Sequence, residues 1–155
     1  MARPPREWPT LDDIDLGIIR LLQENGRASN TEISRALSVS EATVRNRVAR
    51  LLDNGVMTIT AVPTPEAFGL NLATIIGLRV ALDRLGDVTQ ALNREPETRF
   101  IVVSTGRYDL MTEAYFRDRD HLHDFLTERV GPLPGVHHVE ASVILRTSKR
   151  SFLEV

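Results

Sequence analysis

Ser29 and Ser40 each read as a helix N-cap, and the stretch between them holds no more than a two-turn helix and a tight turn, so this part of the chain must pack short helices together. Ser29-Asn30-Thr31-Glu32 has capping-box spacing: the hydroxyl of Ser29 meets an orphan amide while Glu32 reaches back to the amide of the cap. The helix that follows is predicted to turn Ile33, Ala36 and Leu37 inward. Ahead of it, Ile14, Ile18, Leu21 and Leu22 fall on one helical stripe that stops at Asn25-Gly26. Behind it, Ser40 opens a longer helix with Val44, Val48, Leu51 and Leu52 on its inner side and Asn54-Gly55 as its stop. Three helices thus occupy the segment from Leu11 to Gly55.

Beyond Gly55 the pattern alternates instead. Val56–Val62 reads as a linker strand, and Thr64-Pro65 as the start of a single turn ending at Phe68-Gly69. Leu72, Thr74, Ile76, Leu78, Val80 and Leu82 alternate with smaller or polar residues, as a half-buried strand requires. Leu85, Val88, Ala91 and Leu92 return to helical spacing up to Pro96. Phe100–Val103 is a short, fully apolar strand, Thr105–Asp109 a turn, and Leu110–Phe116 the returning strand. Asp118 caps another helix, with Leu122, Phe125, Leu126 and Val130 inward and Gly131-Pro132 as its end. Val136–Leu145 is the last strand, with Val139, Ala141, Val143 and Leu145 on one face. The order β-α-β-β-α-β is the ferredoxin-like split arrangement, so the fold class is α+β: a winged-type helix-turn-helix unit, a strand linker and a ferredoxin-like βαββαβ domain. The expected layout is a mobile arm over residues 1–10, a helical domain with its linker strand over 11–62, and the sheet domain over 70–155.

With 155 residues, 42% of them hydrophobic, and no cysteine, the chain is neither a disordered tail nor a disulfide-stapled scaffold. Arg79, Asp83 and Arg84 interrupt the longest apolar run, so no membrane span is expected, and without a secretory apolar core the chain is expected in the cytoplasm. Up to residue 60 there are eight Arg against eight Asp plus Glu, so any surface for nucleic acid must be a local patch.

The helix after Ser40 is that patch. Opposite its apolar stripe lie Ala42, Thr43, Asn46 and Arg50, with Arg45 and Arg47 on the flanks. Arg can bind guanine or clamp phosphate, Asn can read adenine, and Thr can meet either base edge. Ser40, Glu41 and Thr43, at the helix start, would reach bases first, leaving Arg47 and Arg50 to phosphate. Any solvated helix face can carry arginine; the tri-helical setting is what turns this one toward DNA. A second candidate is the turn Thr105-Gly106-Arg107-Tyr108-Asp109, where Gly106 supplies a positive φ and Asp109 could accept from an ammonium group, although the same residues suit an ordinary hairpin. His121 and His123 point apart on a helix, and His137 and His138 face opposite sides of a strand, so no metal site is expected; no nucleophile elbow or phosphate loop is present, and no catalytic residue or cofactor is expected.

Leu11-Asp12-Asp13-Ile14-Asp15, Gly26-Arg27, Glu32-Ile33, Val39-Ser40, Val44-x-x-Arg47-Val48-x-x-Leu51 and Gly55-Val56 together resemble the N-terminal signature of the Lrp/AsnC family, the leucine-responsive, feast/famine regulators. Gly106-x-x-Asp109-Leu110 with Pro134-Gly135-Val136 resembles the effector module of the same family. The resemblance covers residues 11–147. It implies a transcription regulator on double-stranded DNA, a homodimer formed through the sheet domain that assembles further to an octamer, and an amino acid effector. By position it places Ser40, Thr43, Asn46, Arg47 and Arg50 toward DNA, and Gly106, Tyr108 and Asp109 at an effector loop between dimers. Ser34 and Ser38 stand where the family usually has Ala and Gly, and Ser38 would need a positive φ that a non-glycine residue disfavours. A similar architecture occurs in sirohaem decarboxylases, and on that alternative His121, His123, His137 or His138 of this chain, with Arg107, could handle carboxylates and protons; a small-molecule-sensing module without a DNA role is the other alternative.

Overall fold

The computed structural model describes residues 8–149, and they divide into two compact units between Ala61 and Val62. Most of the arm expected over residues 1–10 lies outside the described residues.

The first unit is built from α1 (Asp13–Glu24), α2 (Asn30–Leu37) and α3 (Glu41–Asp53). Their apolar stripes converge on a core of Ile18, Ile19, Ile33, Val44 and Leu51, each worth about 1.5–3 kcal/mol on full burial. The starts are set by side chains: Ser29 and Glu32 complete the expected capping box on α2, Ser40 accepts from the Thr43 amide on α3, and Asp12 and Asp15 form a further capping box on α1. Ser38 closes α2 in the left-handed region, at φ 55° and ψ 40°, the only positive φ outside glycine among the described residues. Two inward assignments change: Leu52, at the edge of the apolar stripe of α3, is exposed, and Ser34 takes the inward place expected of Ala36. Ser34 is buried and Ala36 exposed, because the two lie symmetrically about the Ile33–Leu37 axis and the neighbouring helices cover the Ser34 side.

Residues 56–62 form no strand, contrary to the alternating pattern. A strand exists only with a partner to bond, and among the described residues this segment has none. Pro65–Phe68 then makes the expected single turn, here 3₁₀, with Pro at its first position and Gly69 at φ 74°.

The second unit has β1 (Leu72–Val80), α4 (Leu85–Leu92), β2 (Thr98–Val103), β3 (Leu110–Phe116), α5 (Arg119–Asp124, continuing through a π-helical turn, Phe125–Val130) and β4 (Val136–Val143). All pairs are antiparallel in the order β2-β3-β1-β4, with Leu78 opposite both Leu110 and Val139. Ile76, Leu78, Leu110 and Phe116 bury one face of the sheet together with Val88, Leu92, Leu122, Phe125 and Val130 from the helices. Two strands stop sooner than their alternation suggested. Leu82 and Leu145 are 81% and 96% exposed, since the pairing ends at Val80 and Val143 and no ladder holds their side chains inward. β2 lies at the sheet edge rather than inside it, so Phe100, expected in a fully apolar strand, is 59% exposed.

Candidate nucleic-acid interface and effector loop

The face of α3 away from the core is narrower than its helical wheel suggested. Ser40 and Thr43 open it: the Thr43 amide donates to Ser40 Oγ at 3.1 Å, and the two hydroxyls lie 2.8 Å apart, so each is held where a base edge or phosphate could meet it. Arg45 and Asn46 follow, both exposed and, among the described residues, without a hydrogen bond or ion pair. Glu41 and Ala42 are exposed beside them.

Arg47 and Arg50 do not share that freedom. The wheel set Arg50 opposite the core stripe; instead it turns back to α1, where its Nη2 donates to Asp15 Oδ2. Arg47 Nη1 donates to Asp12 Oδ2 at 2.7 Å and to both carboxylate oxygens of Asp15, at 3.1 and 3.2 Å. The side chain of Asp15 is 0% exposed, whereas those of Arg47 and Arg50 remain 29% and 39% exposed. A carboxylate this deep is tolerable only while paired, and removing one partner of a buried pair costs about 3–5 kcal/mol. Taking the guanidiniums away from Asp15 therefore opposes their use on phosphate, the role expected of them. The Asp15 amide, with Arg47 behind it, holds the Asp12 carboxyl below its usual 3.8, and Asp12 followed by Asp15 pushes Arg47 further up. The sequence reading missed the cap formed by Asp12 and Asp15, although their three-residue spacing at the start of α1 is a signal that could have found it; their partners, over thirty residues away, left no such signal.

The turn between β2 and β3 has an exposed tip, Thr105 and Gly106, with Gly106 at φ 116°. Its far side is pinned to the sheet. Asp109 donates its amide to Leu78 O at 2.9 Å and accepts the Val80 amide on Oδ2 at 2.8 Å, beside the irregularity between Arg79 and Val80. The carboxylate expected to face an ammonium group thus already ends the β1 ladder with one oxygen. Tyr108 lies flat on Gly77: a Cβ there would come within 2.7 Å of the ring. Glu140 beside the Tyr108 hydroxyl raises the phenol above its usual 10.0, and the phenol lowers the Glu140 carboxyl below 4.5. Arg107 Nη2 reaches Glu140 Oε2 at 3.1 Å, and the Arg107 Cζ sits 5.4 Å from the Tyr108 ring centre. Gly77 and Glu140 had no signal in the alternating pattern, because only the register that sets them opposite each other brings them under the loop.

His121 pairs with Glu97 at 3.1 Å, and among the described residues no group of three or more His, Asp or Glu could hold a metal ion.

Three short helices ending in a polar-faced third, followed by a βαββαβ unit, define a two-domain helix-turn-helix regulator. Family models bear this out: an AsnC-type helix-turn-helix domain matches residues 11–52 and an Lrp/AsnC ligand binding domain matches residues 73–153. The chain belongs to the Lrp/AsnC family of transcriptional regulators. It is 37% identical over 140 residues to the HTH-type transcriptional regulator Ptr1 of Methanocaldococcus jannaschii, covering 90% of this chain and 95% of that one. It is 32% identical over 142 residues to the regulator FL11 of Pyrococcus horikoshii, covering 91% and 93%. Among solved structures it superposes on a transcriptional regulator of Neisseria meningitidis in complex with L-Met, at TM-score 0.86 and 29% identity over 92% of this chain and 94% of that one. It shares the fold of Escherichia coli AsnC, at TM-score 0.89 and 20% identity over 95% and 100%.

Proposed function

We propose that the chain binds double-stranded DNA sequence-specifically through α3 as a homodimer, and that a small effector, an amino acid, sets its DNA affinity or its further assembly to an octamer. One observation carries the reading: α3 anchors Val44 and Leu51 fully in the core while Ser40, Thr43, Arg45 and Asn46 stand together on the outer side. These are donors and acceptors suited to base edges and phosphates in a major groove. A dimer would present two such helices to successive grooves, about 34 Å apart, on a pseudo-palindromic site. The segment 56–62, which forms no strand and exposes Ile59 and Val62, supports a partner strand from a second copy.

The effector reading rests on the loop Thr105, Gly106, Tyr108 and Asp109, and is supported by the relative solved with L-Met. A cavity of about 90 Å³ beside Arg84 and Val88 and one of about 130 Å³ beside Glu97 and His121 are not lined by these residues. The exposed tip of the loop, Thr105 and Gly106, favours a site completed by another chain. The named relatives are regulators, which favours this reading over an enzyme of similar architecture.

The test is fluorescence anisotropy of the full chain on labelled genomic fragments, repeated with each amino acid. Retention of some fragments over random duplex, changed by one or a few amino acids, is expected; equal affinity for every duplex in every condition contradicts the proposal.

A further inference from the structure

Resting on the DNA-binding reading, we infer that Asp12 and Asp15 are positioning residues of α3: they hold Arg47 and Arg50 against α1 and keep both guanidiniums off a bound duplex, reserving contact for Thr43, Arg45 and Asn46.

The geometry makes the two carboxylates competitors of phosphate. Arg47 spends Nη1 on Asp12 and on both oxygens of Asp15, so its strongest donor direction is already filled by anions fixed to another helix. Arg50 spends Nη2 on Asp15, and its Nε is buried without a partner among the described residues. Two positive and two negative charges cancel locally, so the exposed cation left on α3 is Arg45. The arrangement also fixes α3 on α1, since a buried carboxylate admits few orientations of the two arginines that satisfy it. DNA recognition is thereby narrowed to a short stretch near the start of α3, and general affinity for any duplex is held down. Such restraint raises the ratio of specific to non-specific binding, the quantity on which a regulator depends.

Asp12→Asn tests this without removing the cap, because Asn is as good an N-cap as Asp. Asp13→Asn, an exposed neighbour with no ion pair among the described residues, is the control for charge alone. Each is measured by salt titration of binding to a random duplex and to a retained genomic fragment. Asp12→Asn is expected to tighten random-duplex binding several-fold beyond the control and to steepen the salt slope toward the ~0.9 that one new phosphate contact adds per chain. In Asp12→Asn/Arg47→Gln the gain should vanish, because it passes through Arg47. Arg45→Gln should lower the wild-type slope, and Arg47→Gln should leave it unchanged while lowering the unfolding temperature.

An Asp12→Asn protein indistinguishable from Asp13→Asn, or an Arg47→Gln protein whose slope drops as far as that of Arg45→Gln, overturns the inference. A wild type that binds no duplex at low salt overturns the function with it. That failure is told apart by thermal unfolding, which needs no DNA: coupling between Asp12→Asn and Arg47→Gln there shows the clamp formed while the proposed function failed.

Discussion

Ser38 carries the turn between α2 and α3 in a left-handed conformation that costs a non-glycine residue about 1–2 kcal/mol. Ser38→Gly should therefore raise stability by about 1 kcal/mol in urea unfolding; a loss would mean that the hydroxyl, rather than the backbone, is what the turn needs. Thr74 makes the opposite case. Its side chain is fully buried on the inner face of β1 with Oγ1 unpartnered, and an unsatisfied buried hydroxyl costs about 1–3 kcal/mol. Thr74→Val keeps the shape and removes the hydroxyl, so its urea midpoint should rise, and a lower midpoint would contradict the assignment. At the loop, Gly77→Ala drives a methyl into the Tyr108 ring and should move the hydroxyl away from Glu140. The Tyr108 phenol should then return downward toward 10.0, followed as tyrosinate absorbance against a Tyr115→Phe background; an unchanged titration would show that Tyr108 finds Glu140 without resting on Gly77.

Helices and strands differ in how far the sequence reveals them. The caps at Ser29 and Ser40, the stop at Asn54-Gly55 and the 3₁₀ turn at Pro65 were legible because each depends on residues within four positions of one another. Leu82, Leu145 and the segment 56–62 were misread because alternation records which side chains could face a core and is silent on whether a partner strand continues. At the candidate site, the outward positions of Arg45 and Asn46 followed from helical period, whereas the capture of Arg47 and Arg50 by α1 depends on tertiary pairing that no local pattern contains.

The caps also set an acid limit on the helical unit. The Asp15 amide first, then Arg47, lowers the Asp12 carboxyl, and the Ser29 amide and hydroxyl lower that of Glu32 from its usual 4.5. A carboxyl depressed in the folded state adds stability above its unfolded value and loses it as pH falls through the folded one. Unfolding temperature should hold at neutral pH and fall below about 4.5, with Glu32→Gln flattening the upper part of that fall. A protein equally stable at pH 3 and pH 7 would contradict the role of these caps.

For the whole molecule, charge and assembly constrain function together. With a net charge of -2 the chain has no general attraction for nucleic acid, so whatever affinity it shows must come from a small patch, which the proposed dimer would present twice. Dilution below the dimer's dissociation range should then abolish retention of a genomic fragment well before the helical unit unfolds. Sedimentation and anisotropy on the same samples would reveal it, and full retention by a monomer would refute the two-helix arrangement.

The outward face of α3 is best interrogated by Asn46→Ala, a side chain that is exposed and holds nothing within the fold. Its affinity should be compared with wild type on a selected genomic fragment and on random duplex at the same salt. The account predicts a drop of roughly tenfold on the selected fragment, within the 1–3 kcal/mol of one base contact, and no change on random sequence. Equal affinities on both duplexes before and after the substitution would contradict it.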